Sequence, residues 1–433
     1  MRSRKPFSAG QPSFVIFIAL LLASAIVPAE AQTRKFKVLH TFHGKDGAFP
    51  VGQLTRDAEG NFYSTTEQGG TGKCVGVGCG TVFKMDKTGK LIWSYSFHGK
   101  DGFEPVAGLL RDAKGDLYGI TEFGGTVPAN NSFGYGVVFK LDTARTETVL
   151  HRFKGCNLNG PQDGELPDSL LVMDASGELY GTTGQGGNTF TCQGTAFALS
   201  GTGKQTILHR FTGGTDGGGP CCGLILRGAS GLYGLAASGG GGGGLAFQMS
   251  TKGNETVLYN FPGGSSSESV LVADSAGNLY GTTRTGGNCG VGSCGTVFEL
   301  SPDGSGWSQK TLYTFCQKSQ CADGYEPGTG PLVLDKAGNI YGTTSFGGFT
   351  NQGNCRAGCG VVFKLDPSGD ETVLYSFTDA TDGANPIAGL YTDDKGDLFG
   401  TAQIGGDLNC PAPGGKGYGC GVVFELTPEA GSD

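Results

Sequence analysis

Six segments of the chain share the pattern Asp-Gly-x-x-Pro, and their aspartates are its most regular set of potential ligand-binding side chains. If these segments meet in space, the carboxylates could attract calcium or a cationic or polyhydroxylated ligand. The pattern also suits a turn, because Asp accepts backbone N–H groups, Gly adopts positive φ, and Pro can begin a strand. We favour the turn interpretation, keep ligand binding as the alternative, and predict no cofactor unless calcium binds. The aspartates are Asp46, Asp101, Asp163, Asp216, Asp323 and Asp382.

Fourteen cysteines form a second chemically capable set. An even number of cysteines in an exported chain predicts disulfides, here bracing long glycine-rich loops. Zinc is the alternative, but the Cys-x-x-Cys spacing and supporting histidines typical of zinc sites are missing. Cys221 and Cys222 are adjacent, so they form either a strained disulfide or two free thiols. The predicted pairs are Cys74–Cys79, Cys156–Cys192, Cys289–Cys294, Cys316–Cys321, Cys355–Cys359 and Cys410–Cys420.

The five histidines are weak catalytic candidates. His40, His151 and His209 occupy a strand position where other repeats carry tyrosine, so we interpret them as packed aromatic residues. His43 and His98 lie in loops near the aspartates, where a His–carboxylate pair could do acid–base chemistry. We favour the interpretation of these two as solvated loop residues.

A catalytic interpretation therefore depends on carboxylates. The sequence contains no Gly-x-Ser-x-Gly nucleophile elbow and no phosphate-binding loop. Glu104, Glu165 and Glu326 lie within the Asp-Gly-x-x-Pro segments and join the aspartates as candidates. An acid–base site requires two or three such groups from different repeats to converge, with at least one shifted pKa.

The elements that position these residues are copies of one repeat of about 56 residues. One copy, residues 331–377, contains four short runs of β-branched and aromatic residues, at 331–334, 340–344, 360–365 and 371–377. Turn-forming residues separate the runs, which indicates four strands. The 82 glycines recur at fixed places and are interpreted as turn residues with positive φ. The second strand of each repeat carries Tyr63, Tyr118, Tyr180, Tyr233, Tyr280, Tyr341 or Phe399.

The order of strand types predicts a closed ring. After residue 31 the chain begins with a strand of the fourth type, at 36–42, and it ends just after one of the third type, at 421–426. The first strand can therefore complete the last sheet. The sequence predicts an all-β fold, a seven-bladed β-propeller closed by pairing the N-terminal strand with the C-terminal three strands. A kelch-like propeller is the nearest alternative description.

The fourth repeat breaks the symmetry. It has Gly228 where most repeats have Asp, Leu235-Ala236 where others have Thr-Thr, and a loop reduced to the glycines at 239–244. The next connection, 262–268, lacks Asp-Gly-x-x-Pro. These changes could open a notch in the loop face, or they could reflect decay of one repeat, which is the interpretation we favour.

Residues 1–31 are typical of a secretory signal peptide, with Arg2, Arg4 and Lys5 before an apolar run at 14–27. An uncleaved anchor is the alternative, although a membrane span needs about 20 apolar residues. We expect a single mature domain, 32–433, that is monomeric and does not span a membrane. The net charge is −8 and becomes more acidic after cleavage, which argues against nucleic acid as a partner.

The sequence of motifs resembles a known family. Tyr-Gly-Thr-Thr is followed by Gly-Gly, then by Gly-(Thr/Val)-Val-Phe-(Lys/Glu)-Leu, then by Val-Leu-(His/Tyr)-x-Phe. This combination, over residues 36–427, resembles the choice-of-anchor tandem-repeat proteins of the GloVer type. The resemblance implies a bacterial exported or surface protein without an assigned activity, and it supplies no catalytic residues.

The sequence-based hypothesis is a non-catalytic exported propeller, extracellular or periplasmic, that presents disulfide-braced loops to a protein or glycan. Two alternatives stay open. One is an extracellular hydrolase or lyase that acts on a polysaccharide, and the other is a structural spacer in the cell envelope.

Overall fold

The computed structural model describes residues 34–74, 78–126, 133–156, 163–187, 191–228, 231–289, 294–348, 355, 358–411 and 417–428. These residues form seven antiparallel sheets, the blades of a β-propeller, and one 3₁₀ helix at Ser319–Cys321. The predicted signal peptide lies outside the described residues, so it and the boundary at residue 32 stay predictions. No helix within the described ranges has the length and apolar character needed to cross a membrane.

The strands are short and follow the repeat. The closing strand is β1 (Arg34–Thr41). Blade 1 contains β2 (Ala48–Pro50), β3 (Thr55–Arg56), β4 (Phe62–Gln68), β5 (Thr81–Met85) and β6 (Leu91–Ser96), and blade 2 contains β7 (Leu110–Arg111), β8 (Leu117–Thr121), β9 (Val137–Leu141) and β10 (Glu147–Arg152). Blade 3 contains β11 (Val172–Met173), β12 (Leu179–Thr183), β13 (Thr195–Leu199) and β14 (Gln205–Arg210).

The strands of blades 4 to 7 are β15 (Ile225–Arg227), β16 (Gly231–Ala236), β17 (Leu245–Ser250), β18 (Glu255–Asn260), β19 (Val272–Ala273), β20 (Leu279–Thr283), β21 (Thr296–Asp303), β22 (Gly306–Thr314), β23 (Tyr325–Pro327), β24 (Val333–Leu334), β25 (Ile340–Phe346), β26 (Val361–Leu365), β27 (Glu371–Ser376), β28 (Tyr391–Thr392), β29 (Leu398–Ala402) and β30 (Val422–Pro428). Blade 4 consists of β15 to β18, blade 5 of β19 to β22, and blade 6 of β23 to β27, in which both β23 and β24 pair with β25, while blade 7 consists of β28 to β30 and β1.

The predicted closure is present. The seventh sheet has the order β1-β30-β29-β28, so the first described strand of the chain is the outer strand of the last blade. β1 pairs antiparallel with β30, with Phe36 opposite Leu426 and Val38 opposite Phe424. The two ends of the chain are thereby joined within one sheet.

A ring of phenylalanine pairs joins each blade to the next. The Phe that follows the fourth strand of one blade packs against the Phe in the third strand of the following blade, with ring centroids 4.9–5.4 Å apart. Such pairs contribute about 0.5–1.5 kcal/mol beyond the burial of their area. The pairs are Phe42–Phe83, Phe97–Phe139, Phe153–Phe197, Phe211–Phe247, Phe261–Phe298, Phe315–Phe363 and Phe377–Phe424. Because Phe42 follows β1, closure completes this ring.

The glycine of the Tyr-Gly motif is a packing residue, which corrects its interpretation as a turn residue. In six blades it lies mid-strand beneath the ring of the third-strand Phe. A Cβ on Gly342 would lie 2.7 Å from Phe363 Cζ, and one on Gly400 would lie 2.6 Å from Phe424 Cζ. Only glycine allows the ring to approach the strand so closely.

The first strands are shorter than predicted. In blade 6 the sequence indicated a strand at 331–334, whereas β24 contains only Val333 and Leu334. The preceding residues bond to the neighbouring blade, since the Thr329 and Gly330 N–H groups donate to Ile387 O at 3.0 and 3.3 Å. These contacts line the central channel.

Candidate functional site: the mouth of the central channel

The Asp-Gly-x-x-Pro segments lead into the blades at one end of the channel. In each, the residue after Gly pairs with the end of the second strand of the same blade, as Phe103 does with Phe123. The residue before Pro then adopts positive φ, for example 56° at Glu104 and 50° at Glu326. Non-glycine residues rarely adopt this conformation, which costs of the order of 1–3 kcal/mol and clusters at functional sites.

The six aspartates are held inside their own connections. Both carboxylate oxygens of Asp323 accept hydrogen bonds, Oδ2 from Tyr313 Oη at 2.8 Å and Gln317 N at 2.9 Å, and Oδ1 from Lys318 N at 3.2 Å. The other five also use both oxygens in this way. This is the turn role that the sequence favoured, and ligand binding by the ring stays a prediction.

The histidines belong to the same arrangement. His40, His151 and His209 contact Asp46, Asp163 and Asp216 through Nε2 at 3.0–3.2 Å, where other blades use a tyrosine hydroxyl. They are packed aromatic residues, as predicted, with a polar contact that the sequence did not reveal. The Nδ1 atom of the loop residue His43 forms a hydrogen bond with Asp407 Oδ2 at 2.8 Å, and His98 lies 3.6 Å from Asp101.

The structure contains all six predicted disulfides. Four of them brace the channel mouth, because the carbonyl of the second cysteine accepts a hydrogen bond from the pre-proline residue of the next blade. Glu104 N donates to Cys79 O at 3.1 Å, and Glu326 N donates to Cys294 O at 3.1 Å. Phe49 and Asn385 make the same bond to Cys420 and Cys359. The disulfides thus fix the backbone that presents the mouth residues.

Residues from all seven blades enclose a cavity of about 470 Å³ at this mouth. Below it the channel narrows to a neck of about 50 Å³, which holds only a few water molecules. Backbone bonds between neighbouring blades cross the neck wall, such as Val270 N to Thr329 O at 3.2 Å. We call the wider cavity the channel cup. Its polar and reactive lining residues include Glu67, Glu122, Asp168, Cys221, Cys222 and Glu268.

Four carboxyl groups of blades 1 to 3, Glu67, Glu104, Glu122 and Asp168, form what we call the carboxyl cluster. Burial and the charges of Glu67 and Glu122 raise the pKa of Glu104 to about 7. Burial and the charge of Glu67 raise the pKa of Glu122 to about 7. Burial and the charge of Glu122 raise the pKa of Asp168 to about 7, and burial raises the pKa of Glu67. These groups repel one another, and no cation offsets them among the described neighbours that shift their pKa.

Asp168 lines both the cup and the neck. Within the described residues its Oδ1 atom has no hydrogen-bond partner, although it is shielded from solvent. Gly184, at the end of the second strand, leaves room for it, since a Cβ there would lie 3.3 Å from Asp168 Oδ2. A buried acceptor without a donor costs about 1–3 kcal/mol, so this site favours a ligand that donates.

Amide side chains add further acceptors at the rim. Asn385 donates to Gln403 Oε1 at 2.7 Å, and Gln403 donates to Glu67 Oε2 at 3.3 Å. Although Asn385 and Gln403 are linked in this way, Asn385 Oδ1 receives no hydrogen bond from the described residues, and the same holds for Gln68 Oε1. The mouth is therefore rich in acceptors and poor in donors.

On the blade 5 side of the mouth, the positive charge of Arg284 lies close to two glutamates. Arg284 lies 3.4 Å from Glu268 and 3.2 Å from Glu326. Of the three glutamates selected from sequence, Glu326 is thus in this ion pair, Glu165 accepts a bond from Cys156 N at 3.1 Å in its own loop, and Glu104 joins the carboxyl cluster. The structure brings only Glu104 into the uncompensated group.

Cys221 and Cys222 are free in the structure and line the cup. Cys221 Sγ donates to Ser267 O at 3.7 Å, and Cys222 has φ of 69°. The hydrogen bond with Cys221, burial, and the charges of Asp168 and Glu268 raise the pKa of the Cys222 thiol well above its usual value. Of the two states that the sequence left open, the structure shows free thiols.

The irregular fourth repeat opens space in the loop face. An open depression of about 490 Å³ lies among Gly213, Gly214, Thr215, Gly239–Gly242 and Asn260. In the same blade, Gly219 and Ala237 place small residues on the cup wall. A depression therefore lies where the less favoured of the two sequence interpretations placed a notch, and it shares no lining residue with the cup.

Sequence reasoning missed Glu67, Glu122, Asp168 and Glu268. They stand at positions defined by the repeat but variably occupied among the blades. The residue four positions after the second-strand Tyr (or Phe399) is Glu67, Glu122, Gly184, Ala237, Arg284, Ser345 or Gln403. This variation within a regular frame was the available signal. Among the described residues, no group of three or more His, Cys, Asp or Glu side chains could hold a metal ion, and calcium binding stays untested.

Comparisons with known proteins agree with the fold. A family model described as the Gloeobacter/Verrucomicrobia repeat matches residues 24–191, 125–355 and 241–432. None of the curated proteins resembles the chain significantly in sequence. A fungal alcohol oxidase of the AA5 family, solved with copper, is similar at 16% identity and a TM-score of 0.52, covering 92% of this chain and 76% of its own. Hydrazine synthase from Kuenenia stuttgartiensis is similar at 13% identity and a TM-score of 0.52, covering 85% and 96%. At these identities the likeness concerns the fold alone.

Proposed function

The chain belongs to the Gloeobacter/Verrucomicrobia repeat family, and from this premise we propose that it is an exported, non-catalytic binding propeller whose channel cup receives an amine-bearing sugar of a glycan. The disulfides support export, because such bonds persist in oxidising compartments. The observation that carries the proposal is that three carboxyl groups without a balancing cation among the described residues, Glu67, Glu122 and Asp168, line one cavity, with Glu104 close enough to two of them for their charges to raise its pKa.

The negative charge of the carboxyl cluster favours a sugar that carries an amine. An ammonium group in the cup would relieve the repulsion within the carboxyl cluster and allow its members to ionise. Its N–H donors would also serve Asp168 Oδ1, which has no partner among the described residues. The hydroxyl groups of a sugar would donate to the rim acceptors Asn385 Oδ1 and Gln68 Oε1.

Size and shape limit what enters. A cavity of about 470 Å³ falls within the range of about 300–1,000 Å³ for small-ligand sites, and the neck prevents passage of a chain. A polymer would therefore present one terminal or branching residue to the cup while its remainder lies across the disulfide-braced loops. This arrangement retains the loop face as the contact surface that the sequence predicts.

The test compares glucosamine oligomers with N-acetylglucosamine oligomers of equal length, using calorimetry on the mature protein. The two series differ in the charge of the amine, so we expect binding only of the first. Glu122→Gln should weaken binding about ten-fold or more, because a charge-assisted hydrogen bond contributes about 1.5–3 kcal/mol. The matched control is Glu165→Gln, which changes a carboxylate of the same face that bonds within its own loop. Equal binding of both series would contradict the proposal.

Binding should depend on pH in a defined direction. Because the pKa of Glu104, Glu122 and Asp168 is raised to about 7, these groups are largely neutral at pH 5 and largely ionised at pH 8. Affinity for a permanently charged amine, such as a trimethylated glucosamine oligomer, should therefore rise between pH 5 and pH 8. High salt should reduce it by screening. Lysine oligomers test the protein-ligand alternative, and their tighter binding would replace the glycan by a basic protein segment.

A catalytic function is the second candidate, favoured by the three carboxyl groups whose pKa is about 7, which suits general acid–base work near neutrality. A hydrolase or lyase would shorten the bound oligomers, and Glu122→Gln or Asp168→Asn would stop this while the Glu165→Gln control continued. Chromatography of the oligomers after prolonged incubation distinguishes the two functions. Intact oligomers with measurable binding support the non-catalytic proposal, whereas absence of both supports an envelope spacer.

A further inference from the structure

We propose that Cys221 and Cys222 form a thiol site that reacts selectively with small cationic disulfides, and that the reaction closes a disulfide between these two adjacent residues. This site goes beyond glycan binding and uses only the negative charge of the shared cup. Both thiols line the cup, so a molecule small enough to enter can reach them.

The contrast with the other cysteines motivates the proposal. The remaining twelve cysteines of the chain are all in disulfides, yet this pair is free. Thiol–disulfide exchange requires a thiolate. The negative charges of Asp168 and Glu268 disfavour a thiolate at Cys222, and as charges that line the cup they protect the pair from anionic disulfides. A cationic disulfide carries the counter-charge that removes this protection.

The chemistry balances without another reactant. The Cys221 thiol loses its proton and attacks one sulfur of the incoming disulfide, which breaks that bond and releases one small thiol. Cys222 then loses its proton and attacks Cys221 Sγ, which forms the Cys221–Cys222 bond and releases the second small thiol. The protein gives up two electrons and two protons, and the small disulfide is reduced to two thiols.

Closure of the pair would act on the channel wall. Cys222 O accepts a hydrogen bond from Leu170 N at 3.4 Å, and Gly223 forms a parallel bridge with Leu170. Gly223 N also donates to Cys221 O at 2.8 Å. A disulfide between adjacent residues constrains the peptide that joins them, so it changes the backbone that connects blades 3 and 4. Asp168 lies two residues before Leu170 and would move with it.

The experiment measures the rate at which the folded, disulfide-containing protein loses its two free thiols. The probes are cystamine, which is dicationic, hydroxyethyl disulfide, which is neutral, and oxidised glutathione, which is anionic. We expect cystamine to react at least about ten times faster than the neutral probe at low salt, and glutathione to react most slowly. The product should retain no adduct and weigh two hydrogens less than the starting protein.

Two sets of variants decide the interpretation. Cys222→Ser should retain a covalent adduct on Cys221, because the second step is blocked. Glu268→Gln and Asp168→Asn should reduce the rate ratio between cystamine and the neutral probe towards the ratio measured in denaturant, whereas Glu165→Gln should leave it unchanged. Thermal melting checks that each variant is folded.

Equal rates for the three probes, a stable adduct on the unmodified protein, or a folded-state count of no free thiols would each overturn the proposal. These outcomes do not depend on glucosamine binding. A protein that binds no glycan but shows charge-selective oxidation would therefore refute the proposed function and support the thiol site.

Discussion

Asp323 and Asp168 are both carboxylates of connections that lead into a blade, yet their surroundings are opposite. Asp323 is fully buried and accepts three hydrogen bonds, one from Tyr313 in the preceding strand and two from N–H groups of its own connection. Asp168 lines the channel cup, and its Oδ1 atom has no partner among the described residues. Burial and the charge of Glu122 raise its pKa to about 7. One carboxylate stabilises the fold, and the other destabilises it until a ligand or proton arrives.

The difference follows from the symmetry of the repeat. Asp323 occupies a position that carries Asp in six connections, because every blade needs the same turn. Asp168 stands directly after the proline, where the other five connections with this motif carry Val51, Val106, Cys221, Gly328 and Ile387. A ligand contacts blades unequally, so the residues that bind it need not repeat. In this propeller the regular positions maintain the frame and the irregular ones give the cup its charge.

The largest expected effect comes from removing the frame that holds both regions. Deletion of residues 32–43 removes β1 and Phe42, which completes the ring of phenylalanine pairs. We expect aggregated or unfolded protein, measured by circular dichroism and size-exclusion chromatography. Phe42→Ala is the milder variant and should cost about 3–5 kcal/mol, because it leaves a cavity between the last blade and the first. A cooperative melting curve unchanged by the deletion would contradict the role of closure.

The next largest effect is expected when one of the six aspartates of the Asp-Gly-x-x-Pro segments is removed and the channel cup is left unchanged. Asp323→Ala removes the acceptor for Tyr313 Oη, Gln317 N and Lys318 N and leaves these donors unpaired. We expect the free energy of unfolding to fall by about 1–3 kcal/mol, with ligand binding at the cup retained. Chemical denaturation and calorimetry on the same sample measure both quantities. Loss of binding without loss of stability would return the aspartate ring to the list of ligand sites.

A smaller effect is expected from removing one disulfide, which tests whether the braced loops influence binding at the cup. Replacing both Cys74 and Cys79 by Ala removes a disulfide with a sequence separation of 5, for which chain entropy predicts a cost of about 2 kcal/mol. Because Cys79 O holds Glu104 N, binding of glucosamine oligomers should weaken as well. The control is the corresponding change at Cys316 and Cys321, whose disulfide closes a loop of equal separation. Equal loss of affinity in both variants would show that the effect is not local to Glu104.

The smallest expected effect is an increase in stability, produced by removing the charges of the carboxyl cluster. In the folded protein the pKa of Glu104, Glu122 and Asp168 is about 7, above the ordinary values of 4.5 and 3.8. The folded state therefore binds more protons than the unfolded chain, and stability falls as the pH rises through this window. The combined change Glu104→Gln, Glu122→Gln and Asp168→Asn should raise the melting temperature at pH 8 by about 2–4 °C and change it little at pH 4. Differential scanning calorimetry at both values measures this, and a lower melting temperature at pH 8 would contradict the repulsion.

The sequence by itself determined the frame. The repeated Tyr, Phe and Gly positions predicted four-stranded blades, the offset of strand types predicted closure by β1, and the spacing of the cysteines predicted six disulfides. These features are local or repeat seven times, so each copy reinforces the evidence of the others. The shortened first strands escaped prediction, because the neighbouring blade takes their hydrogen bonds.

Only the tertiary structure decided which carboxylates face each other. Glu67, Glu122 and Asp168 are separated along the chain by more than 40 residues at each step, and no local pattern links them. Their raised pKa depends on burial in the cup and on charges from other blades, quantities that exist only after the ring closes. The same holds for the Cys222 thiol, whose pKa is raised by Cys221, by burial and by the charges of Asp168 and Glu268.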